Sequence, residues 1–234
     1  MIKNNDKKNF IWNIIGVSIN SFNSFFYLII ANHLNGKVEA GIFTFAFSLI
    51  CLFYIIGTYF GRIYQISNSD RYNNKTFLYN RIITCILMFL VILGFILFNS
   101  YSKYKIMIII AIAIFRCIEA FSDILYGFLQ QNNELYKSGI SLTVKGIVGI
   151  LTFAIVDYIT KDLFLALIAL SIVNILVIIF YDWFQSYKYF KNDKFVKSDC
   201  IKMIKDGFPV FAYNLLSIYL INVSKYTLDY FCSP

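Results

Sequence analysis

Long uncharged stretches alternate with short polar loops along most of the chain. An apolar run of roughly 18 residues or more predicts a membrane-spanning helix. Strands of a membrane barrel would be about half that length and would alternate in polarity, which these stretches do not. The pattern therefore predicts an all-α, polytopic membrane helix bundle with about seven transmembrane helices. The predicted segments are residues 10–31, 40–61, 82–99, 106–131, 138–160, 163–184 and 208–224.

The composition supports the membrane prediction. Of the 234 residues, 59% are hydrophobic and only 15% are charged, whereas a soluble domain has about 25% charged residues. We attribute the net charge of +8 to lysines in cytoplasmic loops that lie beside anionic lipid. No basic segment carries a nucleic-acid motif. We therefore expect membrane lipids as partners, and no nucleic acid.

Lysine and arginine are distributed unequally between the two sides of the predicted membrane. The amino-terminal tail and the loops on its side contain fourteen basic residues, and the opposite loops contain four. Because basic residues favour the cytoplasmic side, we predict a cytoplasmic amino terminus and, after seven crossings, an external carboxyl terminus. No small-residue cleavage site follows the tail, so the first segment is predicted to be an uncleaved helix.

The basic loop at residues 185–207 contains a helical pattern of its own. Ser198 is a suitable N-cap, and Ile201, Ile204 and Phe208 share one helical face. This pattern predicts a short amphipathic helix on the cytoplasmic surface, with Pro209 in the first turn of the seventh span. The alternative is a solvated basic linker.

The fourth segment carries a polar stripe on one face. Arg116, Glu119, Asp123, Tyr126 and Gln130 fall within an arc of about 80° when successive residues are about 100° apart. A charged side chain in mid-membrane costs at least about 2.5–3.5 kcal/mol. The stripe is therefore predicted to line a watery cavity or to meet opposite charge.

The fifth segment offers a matching face. Lys145 would help Arg116 to balance the charges of Glu119 and Asp123, so we predict that the two faces look at each other or into one shared cavity. The matching face consists of Ser138, Ser141, Lys145, Gly149 and Thr152.

Other predicted helices also carry polar positions on one face. The alternative interpretation of all these groups is structural contact between helices, without a ligand. Asp157, Lys161 and Asp182 lie near the predicted ends of their segments and are interpreted as interfacial residues. The further polar positions are Asn13, Asn20, Ser24 and Tyr27 on the first helix, Thr44, Ser48, Cys51 and Thr58 on the second, and Asn214, Ser217 and Lys225 on the seventh.

The sequence offers little catalytic or metal chemistry. His33 is the only histidine, and it lies in a predicted loop. The five cysteines have no metal-ligand spacing, and no glycine loop of the nucleotide-binding type is present. We therefore expect no enzyme activity, no metal and no cofactor.

Three motifs resemble the oligosaccharide flippases that transport capsular and O-antigen repeat units. They are "RCIEAFSDILYGFLQQNNELYKSGISLTVKGIVG" at 116–149, "GRIYQISNSD" at 61–70 and "GFPVFAYNLLSIYLINVSKYTLDYF" at 207–231. The family belongs to the multidrug/oligosaccharidyl-lipid/polysaccharide exporter superfamily. One position departs from its pattern, because Asn68 replaces the usual aspartate. The matching positions are Arg116, Glu119, Ser122, Asp123, Tyr126, Gly127 and Gln130, then Arg62, Gln65 and Ser67, and then Lys225 and Tyr226.

The resemblance implies a two-lobed transporter of about twelve to fourteen helices. On this pattern, residues 1–184 form the amino-terminal six-helix lobe, residues 185–207 the cytoplasmic linker, and residues 208–234 the first helix of an incomplete second lobe. The chain is thus similar to the amino-terminal half of a flippase in a bacterial cytoplasmic membrane. A missing second half or a homodimer is the implied protein partner.

The implied cargo is a lipid-linked oligosaccharide of the polyprenyl pyrophosphate type. Cationic side chains would attract the diphosphate, and polar side chains would bind sugar hydroxyls. Glu119 and Asp123 would take up a proton or a sodium ion. The expected substrate-path residues are Arg116, Glu119, Asp123, Tyr126, Gln130, Lys145, Arg62, Lys225 and Asn20.

Three other functions compete with the flippase hypothesis. A cation-coupled multidrug exporter of the same superfamily would favour a more acidic lumen. A membrane polymerase or acyltransferase needs acid–base groups, which are scarce here. An interaction subunit or inactive fragment is the third alternative.

Overall fold

The computed structural model consists of helices joined by short loops. It describes the backbone of residues 2–59 and 61–232, and the side chains of residues 5–59, 61–221, 223, 224 and 227. Within these ranges there is no strand. The α-helices are α1 (Ile2–Asn35), α2 (Lys37–Thr58), α3 (Gly61–Ser67), α4 (Asn74–Leu97), α5 (Lys103–Gln131), α6 (Leu135–Thr160), α7 (Leu163–Val177), α8 (Trp183–Ser186) and α9 (Lys197–Cys232). A π-helical segment (Ile178–Asp182) joins α7 to α8, and a 3₁₀ turn (Tyr187–Tyr189) follows α8.

The prediction of an all-α membrane helix bundle is confirmed. Among the described residues, five helical stretches are long and apolar enough to cross a membrane: Asn5–Asn35, Lys37–Ser67, Asn74–Leu97, Leu135–Thr160 and Leu163–Tyr189. Helix α5 is also long enough, but it carries Arg116, Glu119 and Asp123 in its interior. The chain is therefore a multi-pass membrane protein.

Helix α5 forms the centre of the bundle, with α2, α3, α4, α6 and α7 around it. Its first half is apolar, and Ile108, Ile109 and Ile112 are fully buried against α2, α4 and α7. Its second half carries the polar stripe on one side and packs Ile124, Leu125 and Phe128 into a second apolar cluster on the other. Helix α5 therefore contributes to two apolar clusters and also carries a polar face inside the bundle.

Helices α1 and α6 approach each other closely through glycines. A side chain at Gly139 would overlap the backbone of Trp12 and Asn13, and one at Gly16 would overlap the backbone of Gly139. Gly146 lies equally close to the side chain of Ile19. Small residues allow such backbone contact, which is a main source of helix association in membranes. This contact fixes α6 and the face that it presents to α5.

Helix α4 begins earlier than the sequence indicated. The apolar pattern placed its start at residue 82 and left Arg81 in a loop, but the helix begins at Asn74 and Arg81 is only 2% exposed. Asn73 caps the helix by accepting a hydrogen bond from the Thr76 backbone N–H at 2.9 Å. The first two turns are polar in sequence because they meet protein rather than lipid.

The predicted position of Pro209 in the first turn of the last helix was wrong. Pro209 lies inside α9, which begins at Lys197 and continues without a break. A proline inside a helix removes one backbone hydrogen bond, and the preceding turns are held to the bundle by Tyr59 and Tyr72. The Tyr59 hydroxyl donates to the Ile204 carbonyl at 3.0 Å, and the Tyr72 hydroxyl donates to Asp206 at 3.0 Å.

The side of α9 that meets the bundle also differs from the predicted apolar face. Cys200 and Met203 are buried, whereas Ile201 and Phe208 are 50% and 58% exposed. Nearby, burial and the hydrogen bond to Asp206 together raise the pKa of the Tyr72 phenol to about 12. The first turns of α9 therefore pack as part of the bundle.

Candidate substrate-path cavity

A polar cavity of about 310 Å³ lies between α1, α2, α3, α5, α6 and α7. The position of Lys145 along α6 indicates how deep the cavity lies in the membrane. This residue follows Leu135, the first residue of α6, by ten positions, which corresponds to about 15 Å along a helix, or about half of a hydrocarbon core that is about 30 Å thick. The lining residues are Val17, Asn20, Ser21, Tyr54, Arg62, Arg116, Glu119, Ser122, Asp123, Tyr126, Leu142, Lys145 and Asn174.

Most of the sequence-predicted site residues meet at this cavity. Seven of the nine line it: Asn20, Arg62, Arg116, Glu119, Asp123, Tyr126 and Lys145. Gln130 does not line it, because it lies near the end of α5 beyond the cavity. The side chain of Lys225 lies outside the described residues. The prediction that the α5 stripe and the α6 face share a cavity is therefore correct for the residues that bear charge.

Arg116 and Glu119 form an ion pair within α5. The Arg116 Nη1 atom donates to Glu119 Oε2 at 2.5 Å, and Nη2 donates to Cys51 Sγ at 3.4 Å. The guanidinium carbon also lies 4.4 Å from the centre of the Phe47 ring, an arrangement that favours a cation. Both charged side chains retain access to the cavity, with 17% and 18% exposure.

Asp123 is shared by two arginines from different helices. Arg62 Nε donates to Asp123 Oδ1 at 3.0 Å, and Arg81 Nη2 lies 3.6 Å from Oδ2. Arg81 also donates to the Gly57 carbonyl at 3.2 Å. Two cations around one carboxylate leave this corner of the cavity with a local excess of positive charge. The apolar pattern of the sequence placed Arg81 in a loop and gave no sign of this contact.

Lys145 pairs with Asp182, and the interpretation of Asp182 as an interfacial residue was wrong. The Lys145 Nζ atom lies 2.5 Å from Asp182 Oδ2, and the Asp182 side chain is 0% exposed. Lys145 Nζ also donates to Ser122 Oγ at 2.7 Å and to the Tyr126 hydroxyl at 2.9 Å. The expected balance of Arg116 and Lys145 against Glu119 and Asp123 is thus replaced by three separate ion-paired groups.

The cavity wall is completed by hydrogen bonds and close backbone contact. The Tyr126 hydroxyl and Ser141 Oγ are 2.8 Å apart, which links α5 to α6 at the predicted polar faces. Gly127 lies against the buried side chain of Gln65, which donates to the Ile124 carbonyl at 3.3 Å. A side chain at position 127 would overlap Gln65. This contact sets α3, and therefore Arg62, against α5.

Asp157 is also not a plain interfacial residue. Its side chain is 0% exposed, and the Asn35 amide donates to both carboxylate oxygens at 2.8 and 2.9 Å. The pair ties the end of α1 to the end of α6, away from the cavity lining. Asp157 was interpreted as interfacial because it lies near the end of its helix. The sequence alone does not show whether such a helix end faces lipid or another helix.

The described residues show no metal-binding arrangement. No group of three or more His, Cys, Asp or Glu side chains within the described part of the chain is placed to hold a metal ion. The cavity instead offers fixed cations, two part-exposed carboxylates and the amides of Asn20 and Asn174. These groups suit a ligand with anionic and hydroxyl groups.

Comparison with known proteins assigns the chain to a family. Residues 7–234 match the family described as polysaccharide biosynthesis protein. No match was found among curated proteins or among solved structures. The family match covers nearly the whole chain and includes every residue of the polar cavity. The chain therefore belongs to the polysaccharide biosynthesis protein family.

Proposed function

We propose that the chain takes part in moving a lipid-linked oligosaccharide, a polysaccharide repeat unit, across the bacterial cytoplasmic membrane. The observation that carries this proposal is the charged cavity of about 310 Å³ inside a membrane bundle. Ionisable groups at this depth are costly and usually mark a transport path. Membership in a polysaccharide biosynthesis family supports a carbohydrate-linked cargo.

The proposed cargo carries a pyrophosphate between a polyprenyl chain and sugars. Arg62 and Arg116 reach the cavity with 26% and 17% side-chain exposure. Each is already paired with a carboxylate, so a diphosphate would compete with Asp123 and Glu119 for them. Asn20, Asn174 and Tyr126 supply hydrogen-bonding groups for sugar hydroxyls.

The amino terminus is proposed to be cytoplasmic, and a second half or second copy would complete the path.

The proposal is tested in a bacterium that lacks its own repeat-unit flippase. The complete transporter containing this chain is expected to restore surface polysaccharide, and Arg116→Ala is expected to abolish it at an unchanged level of protein in the membrane. Arg71→Ala is the matched control, because Arg71 is 60% exposed and pairs with Asp206 outside the cavity. Normal polysaccharide with Arg116→Ala would reject the substrate path, and export of a cationic dye without polysaccharide would favour the drug exporter.

A further inference from the structure

The Lys145–Asp182 pair is the most buried ionic contact at the polar cavity. Lys145 lines the cavity, while Asp182 lies behind it and is fully buried. The π-helical segment ends at Asp182, and the hydroxyl of Ser186 donates to the Asp182 carbonyl at 2.6 Å. Single π-turns inside helices occur often at functional sites. The π-helical segment thus ends at the residue that pairs with Lys145 of α6.

The other two carboxylates at the cavity have different partners. Glu119 and Asp123 are each 18% exposed and are paired with arginines. Arginine keeps its charge at any physiological pH, so both carboxylates stay compensated in their ionised form. Asp182 depends on a lysine, which is a single charge at the end of a flexible four-carbon chain. Asp182 is therefore the carboxylate that loses its compensation most easily.

The second oxygen of Asp182 makes this dependence stronger. Oδ1 is buried and has no hydrogen-bond partner among the described residues. A buried carboxylate without a counter-charge is too costly to persist and takes a proton instead.

The other ionisable groups around this pair do not replace Lys145 as its counter-charge. The guanidinium carbon of Arg62, on α3, lies 5.7 Å from the centre of the Tyr126 ring, and Arg62 pairs with Asp123. Glu119, on α5, pairs with Arg116. The Tyr126 hydroxyl from α5 lies 3.4 Å from Asp182 Oδ2, and Tyr181 precedes Asp182 on its own element. In the described part of the chain, Lys145 is thus the cation in contact with Asp182.

We propose that Asp182 is a proton-binding site that is controlled by the position of Lys145. When an anionic group in the cavity draws the ammonium of Lys145 away, Asp182 takes one proton from cavity water. When Lys145 returns, that proton is released to water. The proton and the ammonium thus alternate in neutralising one carboxylate, so no buried charge is left uncompensated. The link to an anionic cargo rests on the function proposed above, whereas the proton site does not.

Infrared difference spectroscopy of the purified chain in lipid nanodiscs tests the proton site directly. Lys145→Met is expected to show the carbonyl stretch of a protonated carboxyl group at neutral pH, and the wild-type protein is not. Adding Asp182→Asn to Lys145→Met is expected to remove that band. Arg116→Met is the matched control and is expected to show no band, because Glu119 has access to cavity water.

A second variant covers poor folding of the first. Lys145→Gln keeps a hydrogen-bond donor beside Asp182 and is expected to show the same band. Absence of the band from both folded variants would overturn the proposal. Adding farnesyl pyrophosphate to the wild-type protein is expected to produce the band as well. If it does not, while Lys145→Met does, the proton site stands and its control by a polyprenyl pyrophosphate cargo is rejected.

Discussion

Two lysine–carboxylate contacts in this protein have the same chemistry but very different surroundings. Lys145 and Asp182 meet beside the cavity with side-chain exposures of 6% and 0%. Glu134, between α5 and α6, accepts hydrogen bonds from Lys137, Lys188 and the Tyr189 hydroxyl at 2.8, 3.2 and 2.6 Å. Glu134 is 22% exposed and Lys188 is 50% exposed. The first contact joins three helices inside the bundle, and the second closes one end of it.

The difference shows that burial, rather than the number of contacts, sets the energetic role of a charged pair. Glu134 has three hydrogen-bond donors, but it is partly exposed, so water also solvates its charge. Exposed ion pairs contribute about 0–1 kcal/mol to the free energy of unfolding. Asp182 has one close cation, and its side chain is 0% exposed. Removing one member of a buried pair costs about 3–5 kcal/mol, because the other charge is left uncompensated. A functional switch is therefore better placed at a buried pair such as Lys145 and Asp182.

The largest expected effect is that of Asp182→Asn. It leaves the Lys145 charge buried, so the free energy of unfolding in detergent micelles should fall by about 3–5 kcal/mol. Combining it with Lys145→Met removes both charges and should recover most of that loss. Denaturant titrations of the three variants measure these differences. Unchanged stability of Asp182→Asn alone would show that the pair is not buried as a charged unit.

The glycine contact between α1 and α6 tests the effect of close packing on stability without any change of charge. Gly139→Ala places a methyl group against the backbone of Trp12 and Asn13, and the helices must separate, which should cost about 1–3 kcal/mol. Gly41→Ala is the control, because nothing lies within 4 Å of a side chain at that position of α2. The control should stabilise the protein by about 0.5–1 kcal/mol. Equal effects of the two changes would contradict the tight α1–α6 contact.

A hydrogen bond at the bundle end should give a smaller effect. Tyr72 is 4% exposed, and Tyr72→Phe removes its bond to Asp206, which should lower the free energy of unfolding by about 0.5–1.5 kcal/mol. Tyr79→Phe, at a residue with 42% exposure, is the control and should have no measurable effect. Thermal unfolding in detergent compares the two. A Tyr72→Phe protein as stable as the control would place the start of α9 outside the stabilising contacts.

The smallest expected effect is that of Glu134→Gln. Burial alone would raise the pKa of Glu134, but hydrogen bonds from Lys137, Tyr189 and Lys188 outweigh it and hold the pKa below its ordinary value. A lowered folded-state pKa stabilises the protein above the unfolded-state pKa of about 4.3, and the benefit disappears as the pH falls through the folded-state pKa.

This small effect is measured as the stability difference between wild type and Glu134→Gln. The difference should be at most about 1 kcal/mol at neutral pH, should vanish in acid, and should shrink in high salt. The loss in Asp182→Asn should not depend on salt, because a buried pair is screened far less. A salt-independent difference at Glu134 would remove the contrast between the two sites.

The helices were predictable because lipid imposes a strict rule on sequence. Apolar residues must continue for the thickness of the bilayer, so α2, α5 and α6 were located to within three residues, whereas α1 begins eight residues before its predicted start. The rule fails where protein replaces lipid or water as the neighbour. The first two turns of α4 are polar but helical, and Pro209 does not lie in the first turn of its helix, because contacts across the bundle hold both segments.

The polar stripe was also predictable, because helical geometry alone brings Arg116, Glu119 and Asp123 to one face. Which charges meet was not. Asp182 was interpreted from its place near a segment end, and its true partner became visible only when the π-helical turn and α6 were in position. Arg81 was misplaced for the same reason, since its carboxylate partner lies on a different helix.

The sequence by itself determined that the chain crosses a membrane, which face of α5 is polar, and that a watery cavity or opposite charges must lie near that face. Each of these follows from local spacing and from the cost of placing a charge in hydrocarbon. Only the tertiary structure decided the pairing, in which Lys145 meets Asp182 and Asp123 is shared by Arg62 and Arg81. The physical reason is that an ion pair depends on distances of a few ångströms between helices, and these distances are set by how the helices pack.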